Sequence, residues 1–190
     1  MSLAGVGVCR TFCVMRGINS RRAQPFVAST PSVLNVQFTY AKAAPQCRHA
    51  SMNTLADSGY FVGLFNPKDH HHARCKAFFS TYAGQTTTTW AVFTEVCALL
   101  THSKQKAFFV WATKAQALGY LRIDSPPADA VAALWRLMDK FEDPPMDFCD
   151  ASLVYLASSL KVHRIATTDV KDFSVYRLPG NKRFVHVLYE

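Results

Sequence analysis

Apolar and polar positions in this chain fall into short strand-like runs that alternate with longer stretches of helical spacing, from Asn53 to the end. Leu55-Ala56 leads a short strand that ends at Asp57. Ser58-Gly59 makes a turn, and Tyr60 to Phe65 reads as a short helix broken by Asn66-Pro67-Lys68. Asp69 is a good N-cap for a helix from His70 to Ala83, with Ala73, Ala77 and Phe78 on its apolar face. Gly84 ends that helix, and the β-branched run Gln85 to Thr89 predicts a second strand. Two apolar helices follow, Trp90 to Leu100 and Lys104 to Leu118, the second closed by Gly119. Tyr120 to Asp124 alternates and predicts strand three. Pro126-Pro127 opens a helix from Ala128 to Phe141, with Val131, Leu134, Trp135 and Met138 at helical spacing. Pro144-Pro145 ends that unit. Phe148 to Leu160 predicts another helix, His163 to Thr167 the fourth strand and Phe184 to Leu188 the fifth.

Strands that alternate with helices form a parallel sheet covered on both faces. The expectation is an α/β domain of three layers, a central parallel sheet flanked by helices, over residues 52–190. Its ligands belong at the carboxyl ends of the strands.

Charge separates this body from what precedes it. The chain has 190 residues and a net charge of +8, but six of its 21 basic residues and none of its 13 acids stand in residues 1–51. The body therefore carries 15 basic residues against 13 acids, and the basicity is no nucleic-acid footprint of the folded part. Residues 1–51 show no sustained period. Arg10 and Arg16 interrupt the apolar stretch that a secretory signal needs. An acid-free leader rich in Arg and Ser resembles an organelle transit segment. A start at Met52, just before the first strand, is the favoured alternative, and either reading puts the leader outside the fold. The longest apolar run, Ala107 to Ala112, is too short to span a membrane. Cysteines 9, 13, 47, 75, 97 and 149 contain no C-x-x-C pair, which points to reduced thiols in the cytoplasm rather than a zinc ribbon or a disulfide framework.

The chemistry-bearing residues are acids. Asp57 and Asp169 each follow a strand, and Asp147 and Asp150 open the helix at Phe148, where negative charge is favoured. Glu95 lies inside the apolar segment Ala91 to Leu100, and a carboxylate there needs a partner or a cation. Carboxylates without matching His or Cys ligands select hard cations, Mg²⁺ or Mn²⁺ over zinc. His70-His71-His72 cannot share one ion on a helix, where successive residues point ~100° apart; a solvated first turn is the expectation. Lys171, Arg177, Lys182 and Arg183 are ordinary surface charges that could also meet phosphates. Trp90, Trp111 and Trp135 are expected in the core. A strand-end aspartyl nucleophile of the phosphatase type needs a second acid near the first, and Asp57 is followed by Ser58-Gly59-Tyr60.

These pieces together resemble the PIN-domain ribonucleases of the VapC toxin type. The match runs through Leu-Ala-Asp57-Ser-Gly, Asn66-Pro-x-Asp69-x-His-His, Thr94-Glu95-Val, Pro145-Met-Asp147-Phe-Cys-Asp150-Ala-Ser-Leu and Thr167-Thr-Asp169-Val-Lys-Asp172-Phe. The last two are the specific ones, and the leader lies outside the match. The resemblance implies a Mg²⁺- or Mn²⁺-dependent endoribonuclease with Asp57, Glu95, Asp150 and Asp169 as metal-binding acids. Asp147 and Asp172 would be accessory, and Thr168 a polar helper. It implies an RNA substrate, a cognate antitoxin and a homodimer. Ser58-Gly59 departs from the two-hydroxyl pair of many relatives. The alternative is a degenerate domain of this kind that binds RNA or protein without cleavage.

Overall fold

The structure, a computed structural model, describes residues 53–141 and 145–190. The expected leader, residues 1–51, and the start at Met52 lie outside the described residues. Five strands form one parallel sheet in the order β3-β2-β1-β4-β5. They are β1 (Asn53–Ala56), β2 (Gln85–Thr89), β3 (Leu121–Asp124), β4 (Arg164–Ala166) and β5 (Val185–His186). Among the described residues seven α-helices flank the sheet: α1 (Ser58–Phe65), α2 (His72–Thr81), α3 (Trp90–Leu99), α4 (His102–Ala117), α5 (Val131–Lys140), α6 (Phe148–Leu160) and α7 (Val170–Val175).

Covered on both faces, the inner strands are buried at successive residues instead of alternating. In β2 this buries a row of threonines, and the hydroxyls of three of them find partners. Thr87 Oγ1 donates to Asn53 Oδ1 at 2.8 Å and Thr88 Oγ1 to the Ala56 carbonyl at 2.8 Å. Thr89 Oγ1 caps α3 by accepting from Val92 N and lies 2.9 Å from Ser152 Oγ of α6. Bonded in this way, a polar strand becomes core. α1 packs on α2, α3 and α4, and its Phe61 and Phe65 join Phe93, Phe108 and Trp111 in an aromatic cluster with centroids 4.8–6.4 Å apart.

Several expectations are corrected. α2 starts at His72, not His70, because Asp69 caps a turn: its Oδ1 accepts from His71 N at 2.8 Å, and the helix has no side-chain cap. His72 is not a solvated residue but half-buried, with Nδ1 2.9 Å from the Gly63 carbonyl of α1. Ala73 and Ala77 are exposed; the buried residue of α2 is Cys75, which meets Gly63, where an added Cβ would lie 2.7 Å from Sγ. α5 buries Leu134 alone, leaving Val131 and Trp135 at the surface. Trp111 is core, but Trp90, at the start of α3, is 57% exposed and Trp135, in α5, 62%.

Candidate metal centre

The strand order reverses between β1 and β4. From β1 the chain steps to β2 and β3 on one side; β4 and β5 fill the other. Helices leaving such neighbours diverge, which opens a crevice at their carboxyl ends. Asp57 stands at the end of β1, and Thr167 to Asp169 at the end of β4.

Asp57 is fixed from three directions. Its N–H donates to the Ala166 carbonyl at 3.0 Å, Oδ1 accepts from Ser58 N at 2.6 Å, and Oδ2 accepts from Thr167 Oγ1 at 2.8 Å. Burial pushes its carboxyl up to about 6; the Thr167 and Ser58 bonds oppose that and the nearby Glu95 adds to it. Thr167 Oγ1 also accepts from Asp169 N at 2.9 Å, so one hydroxyl joins Asp57 to the Asp169 backbone. The residue singled out from sequence was Thr168. The signal for Thr167 was its place two residues before Asp169, where a threonine hydroxyl turns back onto the chain.

Thr168 has a different place. A Cβ built on Gly59 would lie 2.1 Å from Thr168 Oγ1 and 3.4 Å from Asp57 Oδ2. The hydroxyl of Thr168 thus occupies the space that a side chain at position 59 would take. Ser58-Gly59, a departure in sequence, is matched by this threonine across the crevice.

Asp57, Glu95 of α3 and Cys149 of α6 each offer one ligand atom, all within 4.8 Å of one another. Glu95 is half-buried, which answers its odd position in an apolar helix. Cys149 was missed as a donor by the sequence reading. Burial first, then the Glu95 carboxylate it faces, raise its thiol far above the ordinary range. Asp150 and Asp169 are not members of this tight set. Asp150 sits in the first turn of α6, and burial pushes its carboxyl up to about 8. Asp57, Asp147 and Asp169 push the same way, while Tyr176 Oη opposes them by donating to Oδ2 at 2.8 Å. Tyr176 is fully buried between Phe141 and Phe173, with ring centroids 5.2 Å from each.

Asp147 and Asp169 hold helix ends. Asp147 Oδ1 caps α6 by accepting from Asp150 N at 2.8 Å, and Asp169 Oδ1 caps α7 by accepting from Asp172 N at 3.1 Å. Burial and then Asp169 raise the Asp172 carboxyl. Thr168, Asp169 and Lys171 line a cleft of about 640 Å³ with Tyr189. Arg177 turns inward to the chain: its Nη1 donates to the carbonyls of Ser174, Val175 and Tyr176 and closes the C-terminal end of α7. Two carboxylates and a thiol from three segments converge on one point, and Asp147 and Asp150 lie near enough to act electrostatically on its members. That donor set fits a divalent cation.

No family model matches this chain, and no curated protein matches it significantly. Among solved structures it is similar to VapC20 of Mycobacterium tuberculosis, described as a sarcin–ricin-loop-cleaving toxin, with 18% identity and a TM-score of 0.54. The likeness covers 62% of this chain and 91% of that one. The fold is PIN-like. Around the PIN-like sheet, no helix among the described residues is long and apolar enough to cross a membrane. A second cavity of about 610 Å³ opens between the starts of α3, α5 and α6, with Trp90, Trp135 and Phe148 on its walls.

Proposed function

We propose that the chain is a Mg²⁺- or Mn²⁺-dependent endoribonuclease that hydrolyses RNA phosphodiester bonds, the toxin of a toxin–antitoxin pair. One observation carries this reading: acids from β1, α3, α6 and the end of β4 gather at the switch point of a PIN-like sheet. Asp57, Glu95, Asp150 and Asp169 would hold the cation, with Asp147, Asp172 and Thr168 in accessory places. A bound divalent cation neutralises charge on a phosphodiester and lowers the pKa of water beside it. The chain supplies orientation. Thr167 and the Ser58 N–H aim Asp57, and Tyr176 aims Asp150. The cap contacts fix Asp147 and Asp169 at the helix ends that face the crevice. The chemistry needs this rigidity, since charge stabilisation in a site depends on groups placed before reaction. The same reading gives the chain a cytoplasmic location, a cognate antitoxin and a homodimeric state.

The test is cleavage of a mixed cellular RNA pool in Mn²⁺, with EDTA as the blank. Asp169→Asn keeps an oxygen to cap α7 and removes the charge, so its fold is retained. Its cleavage rate is expected to fall by ~10²–10⁴, the scale of a single catalytic contact. Asp172→Asn loses less, because its backbone, not its carboxylate, serves the cap. Cleavage that survives EDTA, or a folded Asp169→Asn chain as active as the parent, overturns the nuclease and leaves a domain that binds RNA or protein without cutting.

A further inference from the structure

The two cavities described above differ in charge. The one between α3, α5 and α6 has aromatic walls, but neither a lysine nor an arginine lines it. The cleft past the ends of β4 and β5 brings Lys171 and Tyr189 together with Asp169. Tyr189 is held just beyond β5, where its N–H donates to the His186 carbonyl at 2.9 Å, and it remains 43% exposed. The Arg74 guanidinium of α2 lies over its ring, with Cζ 4.1 Å from the centroid. Tyr189 lines the cleft and Arg74 does not, so the cleft meets ring surface that the guanidinium leaves open. Neither Arg74 nor Lys171 has an ion pair among the described residues. An open aromatic ring and two uncompensated cations thus border an acid of the proposed metal centre.

We propose that Tyr189, backed by Arg74, is a stacking platform for an unpaired base of the RNA, with Lys171 at the neighbouring phosphate. The inference rests on the nuclease reading above and names the contact that holds the substrate beside its acids, since Asp169 belongs to both the cleft and the proposed acid set. Every base offers a π-face, so a tyrosine ring holds any base that is free of its neighbours. In an A-form duplex those faces are already stacked on one another, and the cleft therefore selects unpaired nucleotides. The guanidinium is attracted to the ring face, which fixes the ring and leaves the other surface for the base. It also adds positive charge along the path of the phosphate chain.

The experiment measures binding of a fluorescent oligoribonucleotide of about 12 nucleotides to the full chain by anisotropy. The strand is used alone and paired with its complement, in Ca²⁺, and is checked on a gel to be intact. The parent is expected to bind the unpaired strand at least about tenfold more tightly than the duplex. Tyr189→Ala is expected to weaken that binding at least about fivefold with its salt dependence unchanged, while Tyr189→Phe stays within about twofold of the parent. Lys171→Ala is expected to lower the slope of log affinity against log salt by about 0.7. Circular dichroism confirms that each variant is folded. A Tyr189→Ala chain that binds like the parent, a Tyr189→Phe chain as weak as Tyr189→Ala, or a duplex bound as tightly as the single strand overturns the platform. An unchanged slope in Lys171→Ala overturns its phosphate contact. A parent that binds neither RNA overturns the proposal and leaves the cleft to a protein partner. A parent that binds through Tyr189 but cuts no RNA in Mn²⁺ keeps the platform and overturns the nuclease reading.

Discussion

Gly59 and Thr168 are a pair at the scale of single residues. A side chain at 59 must displace the Thr168 hydroxyl, and the cost belongs to the combination. Gly59→Ala by itself mixes that cost with the helix preference for alanine. The double-mutant cycle separates them. In urea unfolding, Gly59→Ala is expected to be about 1 kcal/mol worse in the parent than in a Thr168→Ala background. Asp150 gives a pH-dependent prediction. Its folded carboxyl is raised to about 8 from 3.8, so between these values the folded chain holds a proton that the unfolded chain has released. Stability from this group is present at low pH and declines as pH rises through that window. Asp150→Asn removes the titration and keeps an acceptor for Tyr176. Without metal, it is expected to raise Tm by a few degrees at pH 8.5 and by much less at pH 5, read by calorimetry. An equal shift at both values excludes the buried charge as the cause. Residue types alone suggested acids near a cation. Whether Cys149 or Asp150 faces Asp57 depends on the rotation of α6 about its axis, which packing against α3 and α5 decides.

Elements differ in how plainly the sequence announces them. α6 runs from Phe148 to Leu160 and β2 from Gln85 to Thr89, as expected, because each has both a sharp boundary signal and a composition suited to one state. α7 had no such signal. It is six residues long and contains two β-branched valines, and it exists through the Asp169 cap at one end and Arg177 at the other. The period of α5 was correct, yet it does not say how wide a face is covered: Leu134 is buried and Trp135 beside it is not. α7 also shows how a short element can serve a site. It ends at Tyr176, whose phenol is kept protonated by burial and by the Asp150 carboxylate it donates to. Tyr176→Phe keeps the ring packing and removes the donor. It is expected to cost about 1 kcal/mol and to shrink the Tm gain from added Mn²⁺, both measured by thermal unfolding. An undiminished Mn²⁺ effect separates Asp150 from the cation.

For the whole molecule, alternation of strand and helix was enough to specify a parallel sheet flanked by helices. The order β3-β2-β1-β4-β5 was not legible, since it depends on which strands meet and no single segment records that. The charge imbalance around residue 51 leads us to propose that folding needs nothing before Met52: a chain begun there is expected to melt at the same midpoint as the full chain, and a large fall in Tm rejects this. The bond between Thr167 and Asp57 spans 110 positions of sequence, and it has a consequence in time. At a ribosomal rate of ~5–20 residues per second, Asp57 is made roughly 5–20 s before the threonine that aims it. During that interval β1 lacks its β4 neighbour, and α6, which brings Cys149, is synthesised only late in it. A nascent or prematurely terminated chain holds the first acids without the cluster, so the centre comes into being only after α6 and the end of β4 have been made.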